Sequence, residues 1–290
     1  FNEGKNIRNL VTQIDDALKG IDYEILFVDD SKDNTPDVIR EVAKDFPQIR
    51  LEHRTGETGL ATAVLKGFEL AKGKYMACMD ADLQHTPEML ILMYKKLIND
   101  DSFDCCCAYK SNREDEGSLK RTLTSLFYKI NNKISDVKLL PGASDFRVFK
   151  KSVCDAITSL DEKTRFLKGM FSWVGFNTIY VPYMPEKRMY GTSKWSLFKL
   201  LKYSLGGIIS FSTKPIKSVF IIGVVALIVG LLNFILMGNL ANRTIILFIS
   251  FIMLQLGIMS LYVSRIYSNI LNRPCYIIKE KLGFNDKSSK

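Results

Sequence analysis

The stretch "GKYMACMDADLQHTPE" (73–88) decides the fold. Tyr75 to Met79 is an apolar run of strand length, and it leads straight into Asp80 and Asp82. Residues i and i+2 of an extended chain fall on one side, so the two carboxylates share a face. Like charges held that close raise each other's pKa, so the pair calls for a cation. The second half, "TPE", opens a helix with Thr86 as cap and Pro87 at the first helical position.

The same grammar recurs on both sides. "KNIRNLVTQIDDALK" (5–19) spaces Ile7, Leu10, Val11, Ile14 and Leu18 for a helix, and "YEILFVDD" (23–30) is a strand ending in Asp29 and Asp30. "NTPDVIREVAKDF" (34–46) repeats the Thr-Pro helix start, with Thr35 as its cap. "IRLEHR" (49–54) is a strand, "GLATAVLKGFELAKG" (59–73) a helix and "FDCCCAY" (103–109) a strand. Strand and helix alternating through short links imply parallel β/α units in a doubly wound, mostly parallel sheet. Ligands of such sheets bind at the carboxyl ends of strands, so Asp29/Asp30 and Asp80/Asp82 should face one cleft. Beyond Tyr109 the pattern loosens into a polar loop (110–121). A helix follows at about 118–135, then strand 144–151, helix 165–175 and strand 177–185.

Hydropathy and charge divide the chain further. Residues 218–240 and 244–264 contain no charge, and about 20 apolar helical residues cover the hydrocarbon layer. A transmembrane hairpin is therefore expected, with Lys214, Lys217, Arg265, Arg273, Lys279 and Lys281 in its flanks, which the positive-inside rule places in the cytoplasm. Before it, "SLFKLLKYSLGGIISF" (196–211) is basic and amphipathic, the type that lies in a membrane interface. Residues 193–290 carry 12 Lys/Arg against 2 Asp/Glu, while 1–192 is close to neutral. The excess charge thus points to an anionic membrane surface and away from nucleic acid. The expected organisation is a catalytic domain over 1–192, an amphipathic segment over 193–217, a membrane hairpin over 218–267 and a tail over 268–290. An integral membrane protein with a cytoplasmic catalytic domain is therefore expected.

Six cysteines include "CCC" at 105–107 but no CxxC, and there are only two histidines. Zinc sites and His-based triads are disfavoured, and the cysteines read as reduced core residues. An oxidoreductase of the dinucleotide-binding kind is excluded by the missing glycine-rich turn. What remains is a carboxylate pair suited to Mg2+ or Mn2+ that shares its ligands with a phosphate. A cationic loop, Arg188 to Lys194 around Gly191, follows it. Metal, diphosphate and lipid together suggest group transfer at a bilayer.

"FNEGKNI", "EILFVDDSKDNT", "GLATAVLKGFELAKGKYMACMDADLQHTPE", "SDFRVFKK" and "RMYGTSKWS" together resemble the family 2 glycosyltransferases. Within them the chain is similar to the dolichol-phosphate mannose synthase and bacterial polyprenyl-phosphate glycosyltransferase group. The resemblance implies a GT-A fold and inverting transfer of a sugar from a nucleotide sugar to a polyprenyl phosphate. A UDP donor of glucose or N-acetylglucosamine is expected. Carried over by position, Glu3 and Asp30 would hold the nucleoside, with Val28 beside the base. Asp80, Ala81, Asp82 and Gln84 would surround metal and diphosphate, with Asp80, Asp82 and Gln84 as metal ligands. Arg188 and Lys194 would bind phosphates, and Arg147 would either join them or pair with Asp145. Asp145 would act on the acceptor side, and Lys110, ahead of Arg113, would stand where the family carries a phosphate-binding arginine. Asp29 is expected to support its turn, and His85 to cap or pack.

Members of the family carry a strand ahead of the Asn-Glu pair, which this sequence, opening on "FNEG", lacks; a fragment is the expectation. The Gln-x-x-Arg-Trp pattern of processive polysaccharide synthases is also missing. A sugar-nucleotide-binding scaffold without activity stands as the alternative. Self-association is compatible with either reading.

Overall fold

The structure, a computed structural model, describes residues 1–55, 59–111, 118–160, 165–186, 206–212, scattered positions from 214 to 232, 241–270 and 277–283. The first half alternates as expected: α1 (Gly4–Ala17), β1 (Ile25–Asp29), α2 (Thr35–Asp45), β2 (Ile49–Thr55), α3 (Leu60–Leu70), β3 (Tyr75–Cys78), α4 (Pro87–Asn99) and β4 (Cys105–Lys110). The second half adds α5 (Ser118–Ile134), β5 (Ala143–Lys150), α6 (Lys151–Thr158), α7 (Leu167–Trp173), β6 (Thr178–Tyr183), α8 (Ala241–Ile270) and β7 (Ile277–Leu282).

The α/β layering stands, but the strands are not mostly parallel. They form two sheets, β1-β2-β7 and β3-β5-β4-β6. Among the described residues, β1–β2 and β4–β6 pair in parallel, while β2–β7, β3–β5 and β4–β5 are antiparallel. Alternation of strand and helix fixes the direction of successive strands, but not what a later strand inserts between them. Here β5 enters between β3 and β4 in the opposite sense. β7, from the segment set apart as a tail, lies against β2, and Glu280 on it pairs with Arg40 of α2.

Thr35 is another difference. Asn34 takes the cap position of α2, and the Thr35 hydroxyl instead accepts the backbone N–H groups of Glu3 (3.1 Å) and Gly4 (3.0 Å). It therefore ties the start of α1 to the start of α2.

Two cores sandwich the second sheet. On one face Phe149 and Cys105 pack with Phe68, Phe171 and Ile157 from α3, α7 and α6; on the other, Phe146, Val148 and Cys106 meet Leu90, Met93 and Leu97 of α4. Strand alternation sends Cys105 and Cys106 to opposite faces. Both are free thiols and buried, as the composition implied.

The expectation of a two-helix transmembrane hairpin is overturned, and with it that of an integral membrane protein. Among the described residues no helix is long and apolar enough to cross a membrane. Absence of charge is not enough by itself, because spanning needs sustained apolarity over about 20 helical residues. Most of 218–240 lies outside the described residues. α8 covers the second run and carries polar side chains tied back to the chain: Gln255 donates to the Val219 carbonyl at 3.1 Å and Tyr262 to the Ser212 carbonyl at 3.0 Å.

The segment expected to lie in an interface is described only at its end, and that end packs on protein. Phe211 is buried in the first core, and its carbonyl accepts from the Asp136 N–H (2.8 Å) and the Ser135 hydroxyl (2.9 Å). A Cβ on Gly169 of α7 would meet the Phe211 ring at 2.4 Å, so only glycine lets the two segments come this close.

Candidate active site

The turn that follows β3 is strained and braced. Leu83 has φ +62°, the left-handed region that costs a branched residue of order 1–3 kcal/mol. Burial of its side chain against Leu10 and Ile14 of α1 holds it there. Asp80 leads into this turn and Asp82 lies within it. Asp82 is 7% exposed, and its Oδ1 accepts the Gln84 N–H at 3.2 Å. Gln84 is fixed from the far side: its amide donates to the Glu186 carbonyl, and Glu186 N–H returns to the Gln84 carbonyl, both at 3.1 Å.

His85 is the brace. Its Nδ1 accepts the backbone N–H of Asp80 at 3.1 Å, so the ring proton belongs on Nε2, which faces the Tyr183 hydroxyl at 3.4 Å. The ring stacks on Phe146, with centroids 4.4 Å apart and planes at 13°. Burial pushes its pKa down to about 4, against the opposing pull of Asp82 and Asp145. Near neutral pH the imidazole is uncharged and holds the turn in place, in agreement with the packing role expected for it.

Asp145 joins this end from β5. The register pairs Cys78 with Arg147 at the end of β3, and Asp145 stands two residues further along β5, near enough for its charge to act on His85. Its Oδ1 is buried and has no hydrogen-bond partner. Arg147 is aimed elsewhere: its guanidinium carbon sits 4.2 Å from the centre of the Phe171 ring, and Nε donates to the Ser144 carbonyl at 3.2 Å.

The end of β1 is built differently. Asp30 accepts two N–H groups of Arg54, each at 2.7 Å, and the Gly59 N–H at 3.2 Å. Arg54 is itself 1% exposed. The reading of the sequence missed it, although a signal was present: "IRLEHR" places Arg50, Glu52 and Arg54 at every second position, so one face of a buried strand is charged. Asp29 turns inward, with Ser31 Oγ on Oδ1 (2.5 Å) and His53 Nδ1 on Oδ2 (3.1 Å). It supports the turn, as expected.

The remaining candidates are placed as follows. The Glu3 carboxylate accepts from the Asn6 amide at 2.7 Å at the start of α1. Val28 on β1 points toward Gly67 of α3. Ala81, like Ile25 and Phe27 of β1, packs against the cluster of Leu10, Ile14 and Leu83. Lys110 ends β4, and its N–H donates to the Gly142 carbonyl at 3.0 Å. Gly142 has φ +87°, and a Cβ there would meet the Lys110 carbonyl at 3.0 Å, so this junction requires glycine. Arg188, Lys194 and Arg113 lie outside the described residues.

Among the described residues no group of three or more His, Cys, Asp or Glu side chains could hold a metal ion. A pair of carboxylates is still the donor set of an ion that takes its other ligands from water and substrate phosphate. The orphaned Oδ1 of Asp145 beside that pair fits a site completed by a cationic or hydrogen-bonding ligand.

Comparison with known proteins gives these strand ends their context. The model of the family described as Glycosyl transferase family 2 matches residues 1–158, which include both acidic ends and Asp145. A bactoprenol glucosyl transferase derived from the SfII prophage of Shigella flexneri is 33% identical over 91% of this chain and 89% of its own length. An uncharacterised glycosyltransferase of Bacillus subtilis is 31% identical over 91% of this chain and 86% of its own. Among solved structures, a mannosyltransferase from Pyrobaculum calidifontis in complex with GDP-Man and Mn2+ superposes with a TM-score of 0.44. It is 20% identical and covers 63% of this chain and 52% of its own, a likeness too loose to carry anything about the site. On the family match and the length of the sequence similarity, the protein belongs to glycosyl transferase family 2 and is a glycosyltransferase.

Proposed function

We propose that the α/β core is a GT-A domain that transfers glucose, or N-acetylglucosamine, from its UDP sugar to a polyprenyl phosphate, with inversion at the anomeric carbon. The observations that support this reading are the braced Asp80–Asp82 turn and the orphaned Asp145 carboxylate, in a chain one-third identical to a bactoprenol glucosyl transferase. In the reaction an oxygen of the acceptor phosphate forms a bond to C1 of the sugar. The bond from C1 to the diphosphate oxygen breaks, and UDP leaves with the electron pair.

The acceptor phosphate, with a second pKa of about 6, is already a nucleophile near neutral pH. Asp145 therefore has no proton to remove, and its role is to orient the acceptor. Asp30, with Arg54 holding both its oxygens, would present a fixed edge to the nucleoside, with Glu3 as its second contact. Asp80 and Asp82, with Gln84, would hold Mg2+ or Mn2+, which would offset the charge of the departing diphosphate. Arg188 and Lys194 would add charge at the phosphates. Alignment and charge stabilisation, not a general base, then supply the rate.

The test is a donor panel. Purified protein is given radiolabelled UDP-glucose, UDP-N-acetylglucosamine or GDP-mannose with undecaprenyl phosphate and Mg2+, and labelled lipid is extracted. Lipid labelled from a UDP sugar is expected. Label released only as free sugar, or transferred from none of the three, would end this reading.

A further inference from the structure

The transfer steps above give Arg147 of β5 no role. It is 5% exposed, yet none of the ion pairs among the described residues includes it. A buried guanidinium without a carboxylate is costly unless something else meets its charge. Phe171 covers one face of its plane and Ser144 takes one N–H, and these leave donors on the fork.

Those donors face a cavity of about 230 Å3 between the sheet, α7 and the loop before β5. Lys168 and Lys138 line it as well, the first half-buried and the second exposed. Lys168 Nζ donates to the Ala143 carbonyl at 2.6 Å, which fixes its position at the wall. No aspartate or glutamate lines the cavity. Three cations and no acid around a concave space describe an anion site. The buried one is an arginine, whose planar fork suits an oxyanion. The space exceeds that of a bare phosphate, and Phe171 and Phe176 offer an apolar wall to whatever the phosphate carries.

We propose that this cavity binds a phosphate monoester, with Arg147 at its floor and Lys138 and Lys168 at its rim. It lies on the face of β5 that also carries Asp145, about two residues or 7 Å along the strand. The phosphate belongs either to a free metabolite or to the lipid acceptor. The lipid-borne case rests on the transfer reading above, whereas the site itself does not.

The experiment is calorimetry on the full chain in EDTA without nucleotide, with inorganic phosphate and then a short water-soluble isoprenyl phosphate as probes. Saturable phosphate binding is expected, weakened about tenfold or more by Lys168→Glu and less by Lys138→Glu. Melting temperatures should stay near that of the parent, because both side chains reach solvent. Arg147→Lys keeps the charge but not the fork and should weaken binding by a smaller factor than Lys168→Glu. Tighter binding of the isoprenyl phosphate, in competition with phosphate, assigns the site to the lipid. Binding no tighter than that of phosphate assigns it to a free anion. Absence of saturable binding, or binding that neither charge reversal touches, overturns the proposal. Binding that persists in a protein showing no sugar transfer would defeat the transfer reading alone.

Discussion

The ends of β1 and β3 look alike in sequence and are constructed differently. Each is a strand terminating in two aspartates. At β1 the acids are met inside the protein: a buried arginine grips Asp30, and Ser31 and His53 hold Asp29. At β3 the acids are placed by backbone geometry, through a left-handed Leu83 and a neutral His85 that pins the Asp80 N–H. The first arrangement makes a rigid edge. The second concentrates negative charge around one tight loop, which suits an exchangeable cation and a diphosphate.

The largest effect should come at β3. Asp82→Asn is expected to lower transfer by about a thousandfold, or ~4 kcal/mol in the transition state, while the melting temperature hardly moves. Turnover and a thermal melt on the same preparation check this. Loss of folding along with activity would make Asp82 a structural acid like Asp29 and erase the contrast.

The next effect belongs to β1. Arg54→Met leaves the Asp30 carboxylate without its cation, and breaking such a pair costs about 3–5 kcal/mol. Denaturant unfolding should show that loss, and Arg54→Met combined with Asp30→Asn should recover most of it. If the double variant is no better than the single, the pair is not what stabilises this end.

How much of this was legible in the sequence follows from the range of each interaction. Apolar periodicity and Thr-Pro helix starts are local, so α1 to β4 could be read directly. The acidic ends were visible for the same reason. The antiparallel entry of β5 was not, because "SDFRVFKK" has no local mark of direction. Arg54 meets Asp30 only through the pairing of β1 with β2, and Leu83 gives no sign of its positive φ in "DADLQH". Charge-free runs at 218–240 and 244–264 were read as membrane spans, yet absence of charge alone does not make a helix apolar enough to cross, and among the described residues none is long and apolar enough. The interplay of Phe211 with Gly169 is likewise a contact between distant segments that neither sequence announces.

His85→Phe sharpens the account of the β3 turn. It keeps the stack on Phe146 but removes the acceptor for Asp80 N–H, so transfer should fall about tenfold, consistent with a general ~1 kcal/mol hydrogen bond. The imidazole titrates near 6.5 when unfolded and about 4 when folded. Its contribution to stability is therefore full above 6.5 and is lost as pH falls toward 4. Melting curves from pH 7 to pH 4 should show a smaller acid-dependent drop for the variant than for the parent.

The smallest effect lies on β2, beneath the β1 end. Glu52 is fully buried, neither oxygen has a hydrogen bond, and the nearest cation, Lys66 Nζ, is 4.0 Å away. Burial raises its pKa above the usual 4.5. The protonated form suits the fold, so this contribution is present below 4.5 and is lost as pH rises through the folded value. Glu52→Gln should gain about 1 kcal/mol at pH 7, or roughly 2–4 °C in melting temperature. The gain should shrink in acid; a variant less stable than the parent at pH 7 would show that the Lys66 contact outweighs the burial.

The division between a nucleoside edge at β1 and a diphosphate end at β3 is tested most directly by comparing uridine with UDP. Their affinities are measured by calorimetry for the parent and Asp82→Asn, with and without Mn2+. In the parent, Mn2+ should strengthen UDP binding at least tenfold and leave uridine unchanged. In Asp82→Asn the uridine affinity should persist and the gain from Mn2+ should vanish. Retention of the full Mn2+ gain in Asp82→Asn, or an equal fall for uridine and UDP, would contradict the division.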